Sequence, residues 1–226
     1  MLRPSVEQVE NVIRRVMRDE RVVAAADGTE FRLFPISIPR GEGEALRSWV
    51  QRERAARTIE VGLAHGISAL FICEGLLLAG RSEARHVALD PNQEHGFSGV
   101  ALQLLREAGV GHLVEFHGER SEFMLPRFLS EGRAFDLAFV DGNHRFDWVF
   151  VDLVYLGRMV RAGGVIFLDD HQLPSVRKAV AFFTNNLGWR IEDQGAAGVA
   201  DVVHEWIVLR LPPTPVERTF DYFVDF

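Results

Sequence analysis

With one cysteine in 226 residues the chain has no internal disulfide. Cys73 sits in an apolar helical stretch, where it reads as a small core residue rather than a nucleophile. No apolar run is long enough to span a bilayer, since the longest, 67–80, is interrupted by Glu74. The amino-terminal stretch lacks the continuous apolar segment of a signal peptide. Runs of lysine and arginine are missing too; Arg14-Arg15 and Arg177-Lys178 are only pairs, and the net charge is −7. These absences argue against nucleic acid and membrane as partners, and they lead to the expectation of a soluble, cytoplasmic protein. There is no internal repeat and no low-complexity segment.

What is present is an ordinary globular composition, 47% hydrophobic and 25% charged, with two stretches that stand out. Phe135-Asp136-Leu137-Ala138-Phe139-Val140 ends at Asp141-Gly142-Asn143-His144, and Gly163-Gly164-Val165-Ile166-Phe167-Leu168 ends at Asp169-Asp170-His171. A short run apolar on both faces reads as a buried parallel strand, and open α/β sheets bind ligands beyond the carboxyl ends of such strands. If the two strands are neighbours, Asp141, His144, Asp169, Asp170 and His171 converge on one patch. Three converging carboxylates repel unless a proton or a cation neutralises them.

In chain order, residues 1–20 have the stripe Val6, Val9, Ile13, Val16 of an amphipathic helix, with Ser5 and Gln8 at capping-box spacing. A hairpin-like interval around Asp27-Gly28-Thr29 follows. A second helix is expected over 44–56, after the flexible lead-in Gly41-Glu42-Gly43. From 57 onward strands alternate with helices. Strands are expected at 58–61, 86–90, 112–117, 137–140, 165–168, 189–192 and 202–211, and helices at 67–78, 97–108, 121–130, 146–160 and 175–187. That alternation predicts an α/β fold, a doubly wound, mostly parallel sheet, and the last two strands, lacking a crossover helix, predict an antiparallel edge pair. The expected organisation is an N-terminal helical preamble over 1–56, a core over 57–211 and an aromatic tail over 212–226. The preamble reads as a lid, an oligomer contact or plain packing, and with the tail it suggests self-association.

The first strand leads into Glu60-Val61-Gly62-Leu63-Ala64-His65-Gly66-Ile67-Ser68. Glycines at such a turn let backbone approach a ligand, and the following helix offers free N–H groups. The third glycine of a dinucleotide fingerprint is missing, which counts against a pyrophosphate and an NAD-dependent oxidoreductase. Asp90, at the tip of the second strand, can accept a ribose's hydroxyls or cap the next helix. Gly118, after the third strand, can admit a flat ring. Together these suggest adenosine without a diphosphate.

Glu60-x-Gly62-x-x-x-Gly66-x-Ser68, with Asp90, Gly118 and Leu125-Pro126, resembles class I S-adenosylmethionine-dependent methyltransferases over about 36–211. Phe139-Val140-Asp141 and Phe167-Leu168-Asp169-Asp170 resemble more narrowly the metal-dependent O-methyltransferases of the catechol and caffeoyl-CoA type. The resemblance implies a seven-stranded sheet with a terminal antiparallel pair, and S-adenosylmethionine held by Glu60, Gly62, Gly66, Ser68, Asp90, Gly118 and Asp141. It also implies one divalent cation, Mg²⁺ by its all-oxygen ligands, at Asp141, Asp169 and Asp170, with Asp170 where the family has asparagine. The catechol branch's lysine base is replaced by His144, a group that titrates near ~6.5 when unperturbed. The expected catalytic pair is thus Asp141 and His144, acting on a hydroxyl of a small metabolite: a phenol, catechol or sugar-like acceptor. Other readings stay open. Asp169 and Asp170 can cap a helix without metal, and His144 or His171 can serve a metal-independent enzyme as base. Both histidines and one aspartate can instead hold iron or zinc. His86, His112 and His204 lie in strands and need no functional role.

Overall fold

The computed structural model describes residues 5–199 and 201–226. Helix α1 (Val6–Asp19) starts where Ser5 predicts, the hydroxyl oxygen accepting the Gln8 N–H at 3.0 Å. The reciprocal half of a capping box is absent, because the Gln8 side chain donates to the Glu107 carbonyl instead. Residues 1–4 of the expected helix lie outside the described residues. The interval after α1 is a hairpin of β1 (Arg21–Val23) and β2 (Glu30–Arg32). Helix α2 (Arg40–Arg52) begins earlier than expected, and Gly41 and Gly43 are helical rather than a flexible lead-in. Packing is the reason. A Cβ on Gly43 would lie 2.2 Å from the Phe71 ring, and one on Gly75 would lie 2.8 Å from Val50, so glycine on both helices sets how closely α2 meets α3 (Ile67–Ala79).

The main sheet contains β3 (Arg57–Val61), β4 (Arg85–Leu89), β5 (Val114–His117), β6 (Phe135–Val140), β7 (Val160–Leu168), β8 (Arg190–Val199) and β9 (Val202–Arg210). Their order is β5-β4-β3-β6-β7-β9-β8, parallel except that β9 runs antiparallel to β7 and β8. The remaining helices are α4 (Val100–Glu107), α5 (Ser121–Ser130), α6 (Phe146–Met159) and α7 (Pro174–Leu187). One face of the sheet packs against α1 to α4 through Val16, Leu46, Leu70 and Leu104; the other packs against α5 to α7 through Phe128, Leu153 and Phe183. This is the doubly wound arrangement that alternating apolar strands and helices demand.

Several boundaries differ from expectation for local reasons. His112 belongs to a 3₁₀ turn, Gly111–Leu113, and β5 starts only at Val114. Helix α4 starts at Val100 because Ser98 and Gly99 both take positive φ. Strand β7 begins directly after α6 at Val160, and β8 runs past the expected end at 192 as far as Val199. The aromatic tail docks on its own chain. Val224 N–H and carbonyl pair with the Asn186 side chain at 2.8 Å each, and the Phe226 ring centroid lies 5.2 Å from that of Phe182. Among the described residues no helix is long and apolar enough to cross a membrane.

Candidate functional site

Register decides which residues meet. Val61 pairs with Leu89 and with Val140, and Val140 pairs with Leu168. The next residue on each strand is therefore Gly62, Asp90, Asp141 or Asp169, level with one another along the carboxyl edge. Strand β9 runs the other way, pairing Ile207 with Leu168, so its amino end arrives at the same edge and brings His204 with it. A cleft of about 680 Å³ opens there, lined among others by Gly62, Asp90, Arg120, Asp141, His144 and Trp148.

The loop after β3 is held rigidly. Gly62 has φ +95°, and a Cβ there would lie 2.0 Å from the Asp141 carbonyl oxygen. Asp90 is buried, and its carboxylate accepts the N–H groups of Leu63 (3.2 Å), Ala64 (2.7 Å) and Asn92 (2.7 Å). Beneath the loop Glu60 is fully buried, taking the Ser68 hydroxyl at 2.8 Å and facing His86 Nε2 at 3.0 Å, while His86 Nδ1 pairs with Thr58 Oγ1. His65 is also buried, with Nδ1 2.9 Å from Ser37 Oγ and its ring against Phe97 and Phe31.

Burial pushes the His65 imidazole down to about 4, against the pull of Asp90. The ring stays neutral in the fold but protonates near ~6.5 in the unfolded chain. Stability is therefore full above ~6.5 and is lost as pH falls from there to about 4, by up to about 3 kcal/mol. Urea unfolding at neutral pH and near pH 4.5 checks this. His65→Gln is expected to lose clearly less stability on acidification than wild type, and equal losses would refute the assignment.

The acidic centre forms two sets. In the first, His144 lies between two carboxylates, Nε2 3.3 Å from Asp141 Oδ1 and Nδ1 3.1 Å from Asp170 Oδ2. In the second, His204 Nδ1 is 3.4 Å from Asp169 Oδ2, and one donor atom each of Glu42, Asp169 and His204 lie within 4.8 Å of one another. Burial, then the Asp169 charge, pushes the Asp141 carboxyl up to about 8. Glu42 is raised well above the usual carboxylate range by burial and then by Asp169 and Asp141. Burial lowers His144, but Asp141 and Asp170 overcome it and raise the ring overall, and the bond to Asp169 raises His204. Asp170 takes φ +55°, a conformation that asparagine and aspartate tolerate best among side-chain-bearing residues. Clustered oxygen and imidazole donors of this kind fit a divalent cation, and the Glu42 oxygens, both buried without a hydrogen-bond partner, favour one.

A family described as a methyltransferase domain matches residues 59–171, half of the chain. The chain belongs to that family. Tricin synthase 2 of Oryza sativa subsp. japonica is 31% identical over 158 residues, covering 68% of this chain and 50% of the relative. Caffeoyl-CoA O-methyltransferase of Petroselinum crispum is 28% identical over 152 residues, covering 63% and 61%. The matches thus span only about half to three fifths of those relatives' lengths. Among solved structures, the O-methyltransferase TomG from Streptomyces achromogenes, in complex with SAM, superposes with TM-score 0.69 at 19% identity, covering 91% of this chain and 90% of TomG. The O-methyltransferase from Bacillus cereus, in complex with SAH, gives 0.70 at 17%, covering 93% of each. The fold is that of the class I methyltransferases.

Of the residues singled out in this methyltransferase domain, Gly62, Asp90, Asp141, Asp169 and Asp170 line the cleft, as does His144. Glu60 and Ser68 bond to each other beneath it, Gly66 caps α3, and Gly118 faces only the Phe116 ring. His171 belongs to neither acidic set; its N–H bonds the Glu205 carbonyl. Two residues were missed. His204, set aside as a plain strand residue, touches Asp169, and the alternation of buried His204 and Trp206 with exposed Val203 and Glu205 marks it as inward-facing. Glu42, hidden in the supposed flexible lead-in, projects from α2; an acid between two glycines was its only signal.

Proposed function

We propose that the chain is an S-adenosylmethionine-dependent O-methyltransferase acting on a hydroxyl of a small phenol, catechol or sugar-like acceptor. One observation carries this reading: the glycine turn at Gly62 and the Asp141–His144–Asp170 set share one cleft at the carboxyl edge. The O-methyltransferases among the relatives, and the structural neighbours that contain SAM or SAH, support it. S-adenosylmethionine, when bound, supplies a methyl carbon on a sulfonium, so the protein's task is to align an acceptor oxygen in line with it. The Gly62 backbone and the loop tied down by Asp90 form the floor of the cofactor's side of the cleft. Asp141, Asp169 and Asp170 would hold a divalent cation, which supplies acidity to the acceptor hydroxyl and orients it. His144 stands within reach of the acceptor side to take the proton once its ring is neutral. Trp148, with the Arg120 guanidinium 4.6 Å over its ring, lines the same cleft.

A metal-independent variant draws support from one specific contact, the His144 ring lying between Asp141 and Asp170, which when protonated offsets one of the two carboxylate charges. Thermal unfolding with added ligands tests the main reading. S-adenosylhomocysteine at ~100 times its Kd is expected to stabilise the chain by about 2.7 kcal/mol and NAD to do nothing; the reverse pattern would sink the proposal. Activity that survives exhaustive chelation would select the metal-independent variant.

A further inference from the structure

We propose that Glu42, Asp169 and His204 form a second divalent-cation subsite beside the Asp141–Asp170 position, suited to a borderline transition-metal ion such as Mn²⁺ or Zn²⁺. It shares the cleft of the proposed methyl transfer but does not depend on that reaction.

Glu42 carries the argument. Its side chain is fully buried, neither oxygen has a hydrogen-bond partner, and one of them lies within 4.8 Å of donor atoms of Asp169 and His204. An isolated buried carboxylate costs several kcal/mol, so such a group is normally paired, protonated or bound to metal. The common structural reason for a glutamate at the third position of a helix is a capping box, in which it accepts the backbone N–H of the residue before the helix. That residue here is Pro39, which has no N–H. Nor does a basic side chain come to its aid. Among the described residues, the only cationic groups within 4.0 Å of Asp141, Asp169 or Asp170 are the two histidines, and Glu42 has none.

The number and kind of donors then favour two ions over one. Glu42, Asp141, Asp169 and Asp170 bring four carboxyl groups to one patch, with His144 and His204 beside them, and these six side chains divide into two sets of three donors. The adjacent residues Asp169 and Asp170 belong to different sets, and Asp170 Oδ1 lies 3.9 Å from His204 Nδ1, so the two positions are neighbours. Paired metal sites commonly hold ions ~3.5–4 Å apart. An imidazole with two carboxylates selects Mn²⁺, Fe²⁺, Co²⁺ or Zn²⁺ over Mg²⁺, which prefers oxygen alone. The ion would also tie α2 to the carboxyl edge, since Glu42 is the one ligand outside the sheet strands and the loops that follow them.

Metal-stripped full-length protein titrated with Mn²⁺, with free ion followed by electron paramagnetic resonance, tests the subsite without any activity assay. Wild type is expected to take two ions per chain, and Glu42→Gln, an isosteric neutral change, to take one. Asp141→Asn should also take one, and the Mn²⁺-induced rise in melting temperature should shrink in Glu42→Gln. Wild type that takes one ion or none, or Glu42→Gln that still takes two, overturns the second subsite. If wild type takes one ion and Asp141→Asn loses it while Glu42→Gln does not, the proposed methyl-transfer site stands and the second subsite falls.

Discussion

Asp141→Ala is expected to lower methyl transfer by about 10²–10⁴-fold, the range for losing a positioned acid–base group, with metal ligation adding to it. Asp141 follows β6, its N–H bonds the Val61 carbonyl at 2.9 Å, and its carboxylate faces the cleft beside His144. The change should not destabilise the metal-free fold, because burial and then the Asp169 charge already make this an unfavourable place for the Asp141 carboxylate, and removing it relieves both. That combination, activity lost with melting temperature kept or raised, separates a working residue from a structural one. His144→Ala belongs beside it. A smaller loss there, with the pH–rate profile changed in shape, is expected if the ring accepts the acceptor's proton. Full activity in both variants would remove the centre of the proposed mechanism.

Gly62→Ala is the second large effect, and it acts on stability. The residue has φ +95°, outside the region that side-chain-bearing residues normally adopt, and the new Cβ would sit 2.0 Å from the Asp141 carbonyl oxygen. A backbone atom cannot swing aside as a side chain can, so β3 and β6 must separate at their tips. Strain and overpacking together are expected to cost about 3 kcal/mol, read as a lower urea midpoint with an unchanged slope. S-adenosylhomocysteine binding should weaken with it, since the same turn floors the cleft. Gly118→Ala is the control. A Cβ there meets only the Phe116 ring at 3.6 Å, and its effect should stay within about 0.5 kcal/mol. Similar losses in the two variants would mean that the crowding at Gly62 is not what constrains the turn.

The sequence by itself determined the parts of this protein that depend on local pattern. Apolar runs of strand length, each stopping at a turn or an acid, and helices at regular spacing between them specify a doubly wound sheet, and a last pair with no crossover specifies the antiparallel edge. Because parallel strands in register end together, Asp141 and Asp169 were legible as meeting at one edge if their strands were neighbours; the pairing of β3, β4, β6 and β7 makes them so and sets Gly62 and Asp90 level with them. What only the tertiary structure decided is which side chains turn toward that edge and what they meet. Glu60 bonds Ser68 and faces His86 beneath the loop instead of facing the cleft, and Asp90 spends its carboxylate on backbone N–H groups. Glu42 arrives because Gly43 and Gly75 let α2 settle closely on α3, and His204 because an antiparallel strand delivers its first residues where its neighbours deliver their last. Both depend on contacts between segments far apart in the chain, and no periodicity within either segment encodes them.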